Sequence, residues 1–193
     1  MTMLLALVSL LAEPAEQPPL VGDFVLKDAQ GKKHTRGDWK EKKAVVLLFL
    51  APDCPVSNFY CPEYARLARL YADKGVLVYG VHPDPAVTAA DAAQHAAQYR
   101  LPFPVLLDPT HVLARPAGVT VTPEAVLLAP TGDVLYRGRI DDRYNAQGVR
   151  REVATTRDLQ DALQAVLDGK KPPVFETKAF GCPLPDPAPS GKE

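Results

Sequence analysis

The sequence predicts an α/β fold: a central mixed β-sheet with helices on both faces and an N-terminal β-hairpin ahead of it. Three observations carry that expectation. Ala44–Ala51 (AVVLLFLA) and Val76–Val81 are short, continuous apolar runs, the pattern of strands buried on both faces. Stretches with helical spacing follow each of them. Near the end of this region, Ala125–Leu128 and Val134–Arg139 flank Pro130-Thr-Gly-Asp, a turn that joins two antiparallel strands, so the sheet is mixed.

The elements follow in order. Asp23–Lys27 alternates weakly and runs into Asp28-Ala-Gln-Gly, a turn signal, and Lys32–Thr35 reads as the return strand of a hairpin. After the first buried strand, Pro55–Lys74 places Tyr60, Tyr64, Leu67, Leu70 and Tyr71 at helical spacing, with Gly75 where a residue past the helix end belongs. Thr88–Arg100 is rich in Ala and Gln and reads as helix, and Val105–Asp108 as a short strand. Thr156–Leu167 is a last amphipathic helix, with Thr155 or Thr156 as its N-cap and Gly169 beyond its end. The order ββ, βαβαβ, ββα describes one sheet with covering layers, and no internal repeat interrupts it.

A length of 193 residues suits one domain with extra segments. Residues 20–169 form that domain. Residues 1–19 combine a signal-peptide-like stretch with a Pro-rich linker, and 170–193 are a Pro-rich polar arm that carries Cys182. Met3–Ala12 is apolar but shorter than the roughly 20 residues a bilayer span needs, which fits a signal-peptide core. Its leading residues carry no Lys or Arg, so a docked apolar terminus stays open beside export to the periplasm, and a cytoplasmic location beside both. No stable membrane span is expected. Apolar residues make up 47 %, enough for a core. The net charge of −1 comes without a basic patch, which argues against nucleic acid as a partner.

The candidate site is Leu50-Ala-Pro-Asp-Cys-Pro-Val-Ser. Cys54 falls just past the C-terminal end of a buried strand and at the start of a helix, where α/β sheets gather their reaction sites. A helix N-terminus presents free N–H groups and about half a positive charge. Cysteines so placed can fall to a pKa of roughly 3.5–7.5, and the thiolate is the nucleophile of disulfide exchange and peroxide reduction. Pro55 suits the first helical turn.

In these residues the chain resembles the thioredoxin superfamily, in its redoxin branch of alkyl hydroperoxide reductase/thiol-specific antioxidant and TlpA-like proteins. Val45–Ser57 resembles the family's strand and Cys-x-x-Cys turn, with Ser57 in place of the second cysteine. Pro62 falls where the family's first helix carries a kinking proline. Gly118-Val-Thr-Val-Thr-Pro-Glu-Ala-Val-Leu-Leu resembles the cis-proline loop and the strand after it. The resemblance implies a thiol-based oxidoreductase with Cys54 as nucleophile, a cis bond at Thr122–Pro123 facing it, and substrate contacts at Pro55, Ser57, Thr122 and Pro123. A cis proline leaves backbone groups free to pair with a substrate strand. The implied partners are a peroxide or a protein disulfide or thiol, together with an external thiol reductant.

The departures are as informative. Ser57 forbids a disulfide within the motif, and Leu48 stands where thioredoxins keep a buried acid. The peroxidatic pattern Pro-x-x-x-Thr-x-x-Cys meets Leu47 and Ala51 ahead of Cys54, and Cys54 and Asn58 ahead of Cys61. No haem-attachment motif or zinc spacing occurs, so neither cofactor nor metal is expected. Two cysteines compete as the second sulfur. Cys61 follows Cys54 by seven residues, about 10 Å along a straight helix, against the 4.4–6.8 Å a disulfide wants, so pairing would need an unwound first turn. The alternative is a packed thiol. Cys182 sits on the arm, and a mobile tail reaches a distant sulfur at small entropic cost, within the chain or across a dimer. Its alternative is an exposed or pinned thiol.

Other polar residues read more plainly. His82 follows the second buried strand as a loop residue or an acid/base group, and His34, His95 and His111 show no partner in the sequence. Arg137, Arg139 and Asp141 alternate as an exposed ion-pair ladder or an anion site. Two functions stay open: a Cys54-dependent oxidoreductase, and a non-catalytic thioredoxin-fold binding or chaperone module.

Overall fold

The computed structural model of the chain describes residues 20–189. An N-terminal hairpin of β1 (Val25–Lys27) and β2 (Lys33–Thr35) leads through a 3-10 turn at Arg36–Trp39 into β3 (Ala44–Phe49), the central strand. Next come α1 (Pro55–Tyr71), β4 (Val76–His82), α2 (Ala89–Gln98) and β5 (Val105–Leu107). After β6 (Val121–Thr122), β7 (Glu124–Leu128) and β8 (Val134–Gly138) form the closing hairpin. Helix α3 (Asp158–Leu167) and the short β9 (Cys182–Pro183) complete the chain.

The main sheet has the order β5-β4-β3-β7-β8. β3, β4 and β5 run parallel, and β7 is antiparallel to both β3 and β8. All six residues of β3 are buried, as its unbroken apolar run requires. Alternate residues feed two cores. Val46 and Leu48 meet Tyr60, Tyr64 and Leu67 of α1, Ala92 of α2 and Leu159 and Leu163 of α3. Val45, Leu47 and Phe49 meet Phe24, Leu26, Trp39, Leu113 and Ala117. All three α-helices thus serve one core, and the hairpin, the 3-10 turn and the turn-rich 111–119 segment serve the other.

The helix ends follow capping chemistry. Thr88 caps α2 in a reciprocal box with Asp91. Gly75 sits at φ +78°, the left-handed conformation that closes the 3-10 turn Ala72–Lys74 following α1. Helix α3 begins at Asp158, later than predicted, with Arg157 rather than Thr155 or Thr156 at its N-cap. The Asp142 carboxylate accepts from the N–H of Thr155 at 2.7 Å and of Thr156 at 3.0 Å, which holds both residues outside the helix.

The C-terminal arm is no loose tail. It lies along the open edge of β8, where Arg137 N–H donates to Phe175 O (2.9 Å) and Thr177 N–H donates to Arg137 O (3.0 Å). β9 then pairs antiparallel with β6. The arm covers a sheet edge that would otherwise present unpaired N–H and C=O groups.

Leu47 lies fully buried on the central strand. Leu47→Ala is expected to destabilise the domain by about 2–5 kcal/mol, through lost transfer energy and a residual cavity, read as a lower urea midpoint at unchanged slope.

Candidate thiol active site

Strand β3 ends at Phe49, and the next five residues carry the chain to Cys54, the N-cap of α1, with Pro55 in the first turn. The loop is tightly held. Ser57 Oγ accepts from Ala51 N–H at 3.2 Å, and Asn58 Nδ2 donates to Pro52 O at 2.7 Å. The first helical bond, from Asn58 N–H to Cys54 O, is 3.0 Å. Cys54 has no side-chain cap bond of its own, so its sulfur is free to face away from the helix.

Opposite lies the loop before β7. The Thr122–Pro123 peptide bond is cis. Cys54 Sγ stands 3.2 Å from Thr122 O. Glu124 anchors this loop from below, accepting Thr120 N–H at 3.0 Å, and burial pushes its carboxyl above the ordinary carboxylate range. Arg137 Nη1 donates to Gly118 O at 2.8 Å and ties down the preceding turn.

Cys54 is joined to Cys182 in a disulfide with a Cα–Cα distance of 6.1 Å, across 128 residues of chain. β9 delivers that sulfur, with Thr122 opposite Cys182 and Val121 opposite Pro183. Leu184 N–H extends the ladder to Thr120 O at 3.1 Å. Upstream, the Phe180 ring stacks on Tyr144, centroids 6.0 Å apart. In this state Cys54 is almost fully buried, while Cys182 is half-buried.

Several expectations change. Ser57 is buried with its hydroxyl bonded to Ala51 N–H, and Thr122 is buried with its backbone paired to Cys182. Pro123 is buried behind the disulfide and Pro55 is exposed at the rim. Cys61 is not bonded to Cys54. It is a fully buried free thiol inside α1, its Sγ 3.7 Å from Ser57 O, and burial pushes its pKa up to about 12, which suppresses the thiolate.

His82 is not a loop residue but the last residue of β4, wholly buried. Its Nδ1 lies 3.0 Å from Leu50 O, an acceptor, so the proton sits on Nδ1 and Nε2 is left bare. The His95 ring lies 5.2 Å away, and His95 Nε2 meets Asn58 Oδ1 at 2.8 Å. Sequence reasoning missed this pair behind the loop; its one signal was a His ending an apolar strand. His34 pairs with Asp28 at 2.8 Å, and His111 Nε2 meets Pro83 O at 3.0 Å. No exposed ladder forms either: Arg139 makes a two-pronged pair with Asp158, and Asp141 accepts from buried Tyr60.

A five-stranded mixed sheet with a cysteine at the tip of its first helix and a cis proline opposite defines a thioredoxin-like protein of the redoxin branch. The AhpC/TSA family profile matches residues 20–137, and the chain belongs to that family. It is 30 % identical over 113 residues to the thiol-disulfide oxidoreductase ResA of Bacillus thuringiensis subsp. konkukian, covering 58 % of this chain and 64 % of that one. The chain thus spans less than two thirds of the curated relatives it matches. Among solved structures, a hypothetical protein from Sinorhizobium meliloti 1021 superposes with a TM-score of 0.77 at 26 % identity, over 89 % of this chain and 95 % of that one. A structure named for the thiol:disulfide interchange protein DsbE of Chlorobium tepidum gives 0.61 at 25 % identity, over 80 % and 99 %. Among the described residues no helix is long and apolar enough to cross a membrane, and the signal-like stretch of residues 1–19 lies outside them.

Two tests follow from the burial pattern. Native protein treated with iodoacetamide at neutral pH is expected to leave Cys61 unmodified, by peptide mass mapping, until denaturant is added. Burial, and then the neighbouring His95, push the His82 pKa down to about 4 from 6.5. The unfolded chain therefore binds the proton first, so His82's stabilising contribution is complete above pH 6.5 and is lost as pH falls toward 4. His82→Gln should flatten the melting temperature across that window; an unchanged pH slope would remove His82 as its source.

Proposed function

We propose that this chain is a thiol–disulfide oxidoreductase in which Cys54 is the attacking thiol and Cys182 resolves it. One observation carries the reading: the two cysteines are joined at the N-terminus of α1, beside the cis-proline loop. In the reduced chain the first-turn N–H groups and the helix dipole stabilise a Cys54 thiolate. That thiolate attacks one sulfur of a substrate disulfide and expels the other as a thiolate. Cys182 then attacks Cys54 and releases the remaining substrate thiol. Two electrons reach the substrate, and the chain is left as the Cys54–Cys182 disulfide. An external thiol reductant regenerates the dithiol.

Exchange is favoured over peroxide reduction because the site offers a backbone edge at Thr120–Thr122 that holds an extended strand, while the residues of the peroxidatic pattern are absent from the Cys54 loop. A protein disulfide is therefore the proposed substrate. A disulfide-based cycle suits an oxidising compartment, in keeping with export.

The test uses the reduced full chain and the thionitrobenzoate disulfide. Wild-type protein is expected to release two equivalents of thionitrobenzoate and close Cys54–Cys182. Cys182→Ser should release one and stop as a mixed disulfide at Cys54, and Cys54→Ser should lose the fast phase. Iodoacetamide should modify wild-type Cys54 at its full rate already near pH 7. A rate that keeps climbing above pH 8 would transfer the protein to the binding-module reading, and faster oxidation by hydrogen peroxide than by disulfides would make it a peroxidase.

A further inference from the structure

The arm reveals what the site accepts. Residues 181–184 occupy the edge of β6 as an extended strand: Cys182 opposite Thr122, Pro183 opposite Val121, and Leu184 N–H on Thr120 O. The approach beside the cis proline is close. A methyl group on Gly181 would overlap the Thr122 carbonyl oxygen and stand 2.8 Å from Pro123 Cδ. Both are parts of the rigid loop that Glu124 and Arg137 hold from behind. The backbone at Gly181 is not in the left-handed region, so the requirement for glycine here is one of space.

We propose that the Thr120–Thr122 edge is a docking site for an extended segment of a partner protein that carries a disulfide-bonded cysteine directly preceded by glycine, and that the chain's own Gly181–Leu184 strand is its resident, removable occupant. The proposal rests on Cys54 being the attacking thiol and adds which partner segments reach it. Reduction of Cys54–Cys182 removes the covalent tie, and the strand then lifts by giving up its short ladder to β6, the Phe180–Tyr144 stack, the packing of Leu184 against the second core and the 2.7 Å bond from Ala188 N–H to Pro109 O. The pairing at Phe175 and Thr177 keeps the arm's root on β8. A partner strand seats in the vacated edge with its Gly-Cys in the same register. The Cys54 thiolate attacks the partner's cysteine sulfur, and the partner's second sulfur leaves as a thiolate. One backbone edge cannot pair with two strands on the same side. The returning arm therefore displaces the partner strand as Cys182 attacks Cys54 and releases the partner's thiol, which couples product release to resolution.

The experiment uses the reduced, full-length Cys182→Ser chain and two peptides. One is acetyl-Ala-Phe-Gly-Cys-Pro-Leu-Pro-amide, which copies residues 179–185, and the other carries Ala in place of its Gly. Each peptide cysteine is loaded as a mixed disulfide with thionitrobenzoate, and release is followed by absorbance. The symmetrical thionitrobenzoate disulfide, which has no backbone to pair, serves as the reference. The resident arm competes with both peptides alike. The glycine peptide is expected to react about tenfold faster than the alanine peptide, the size of a one-methyl overpacking penalty. Equal rates for the two peptides, with normal reaction of the reference, would overturn the docking site and leave Cys54 as nucleophile. Failure of the reference and both peptides would overturn the Cys54 reading and the docking site together.

Discussion

The pairing of β3 with β7 is the constraint on which the site depends. Its antiparallel register sets Phe49 opposite Glu124, so the loop that ends in Cys54 and the loop that ends in Pro123 leave the sheet at the same end. A slip of one residue would turn Leu47 and Leu48 to the wrong cores and carry the two loops apart. Strand β3 tolerates no such slip because both of its faces are buried. The rigidity of the apolar sheet is thereby passed to two polar loops that could not hold each other.

Each loop is finished by local chemistry. The Cys54 side is held by Ser57 and Asn58, whose side chains bond the backbone of residues 51 and 52 and leave Cys54 without such a task. The proline side is held by buried Glu124 and by Arg137, which also pairs with Glu176 of the arm at 2.8 Å. Arg137 thus joins three pieces of chain: the turn at Gly118, strand β8 and the arm. Losing the motif's second cysteine to Ser57 removes one redox partner and supplies a loop brace, while the arm supplies a sulfur from outside the core fold.

Behind the thiol loop lie two buried histidines. The His82 and His95 rings are tilted at 57° to each other, His95 Nε2 lies 4.0 Å from Cys61 Sγ, and His82 Nε2 and His95 Nδ1 lack partners among the described residues. Both rings are held toward the neutral form by burial. Neutral rings keep the His82–His95 pair uncharged behind the thiol loop.

Much of the architecture was legible in the sequence because apolar runs and periodicity record burial directly. The four long strands, the first two helices, the hairpin and the placement of Cys54 at a helix tip all follow from local pattern and capping residues. The start of α3 escaped because Asp142, distant in sequence, captures the N–H groups of Thr155 and Thr156. Spacing alone does not choose between Cys61 and Cys182, because Cys61 would need the first turn of α1 to unwind and Cys182 depends on where the chain returns. Only the tertiary structure buried Cys61 inside α1, gave His82 and His95 each other as neighbours, and laid the arm on β8 and β6 so that Cys182 meets Cys54. Backbone edges pair without regard to side-chain identity, so a Pro-rich segment shows in its sequence that it is extended but not which edge it will cover.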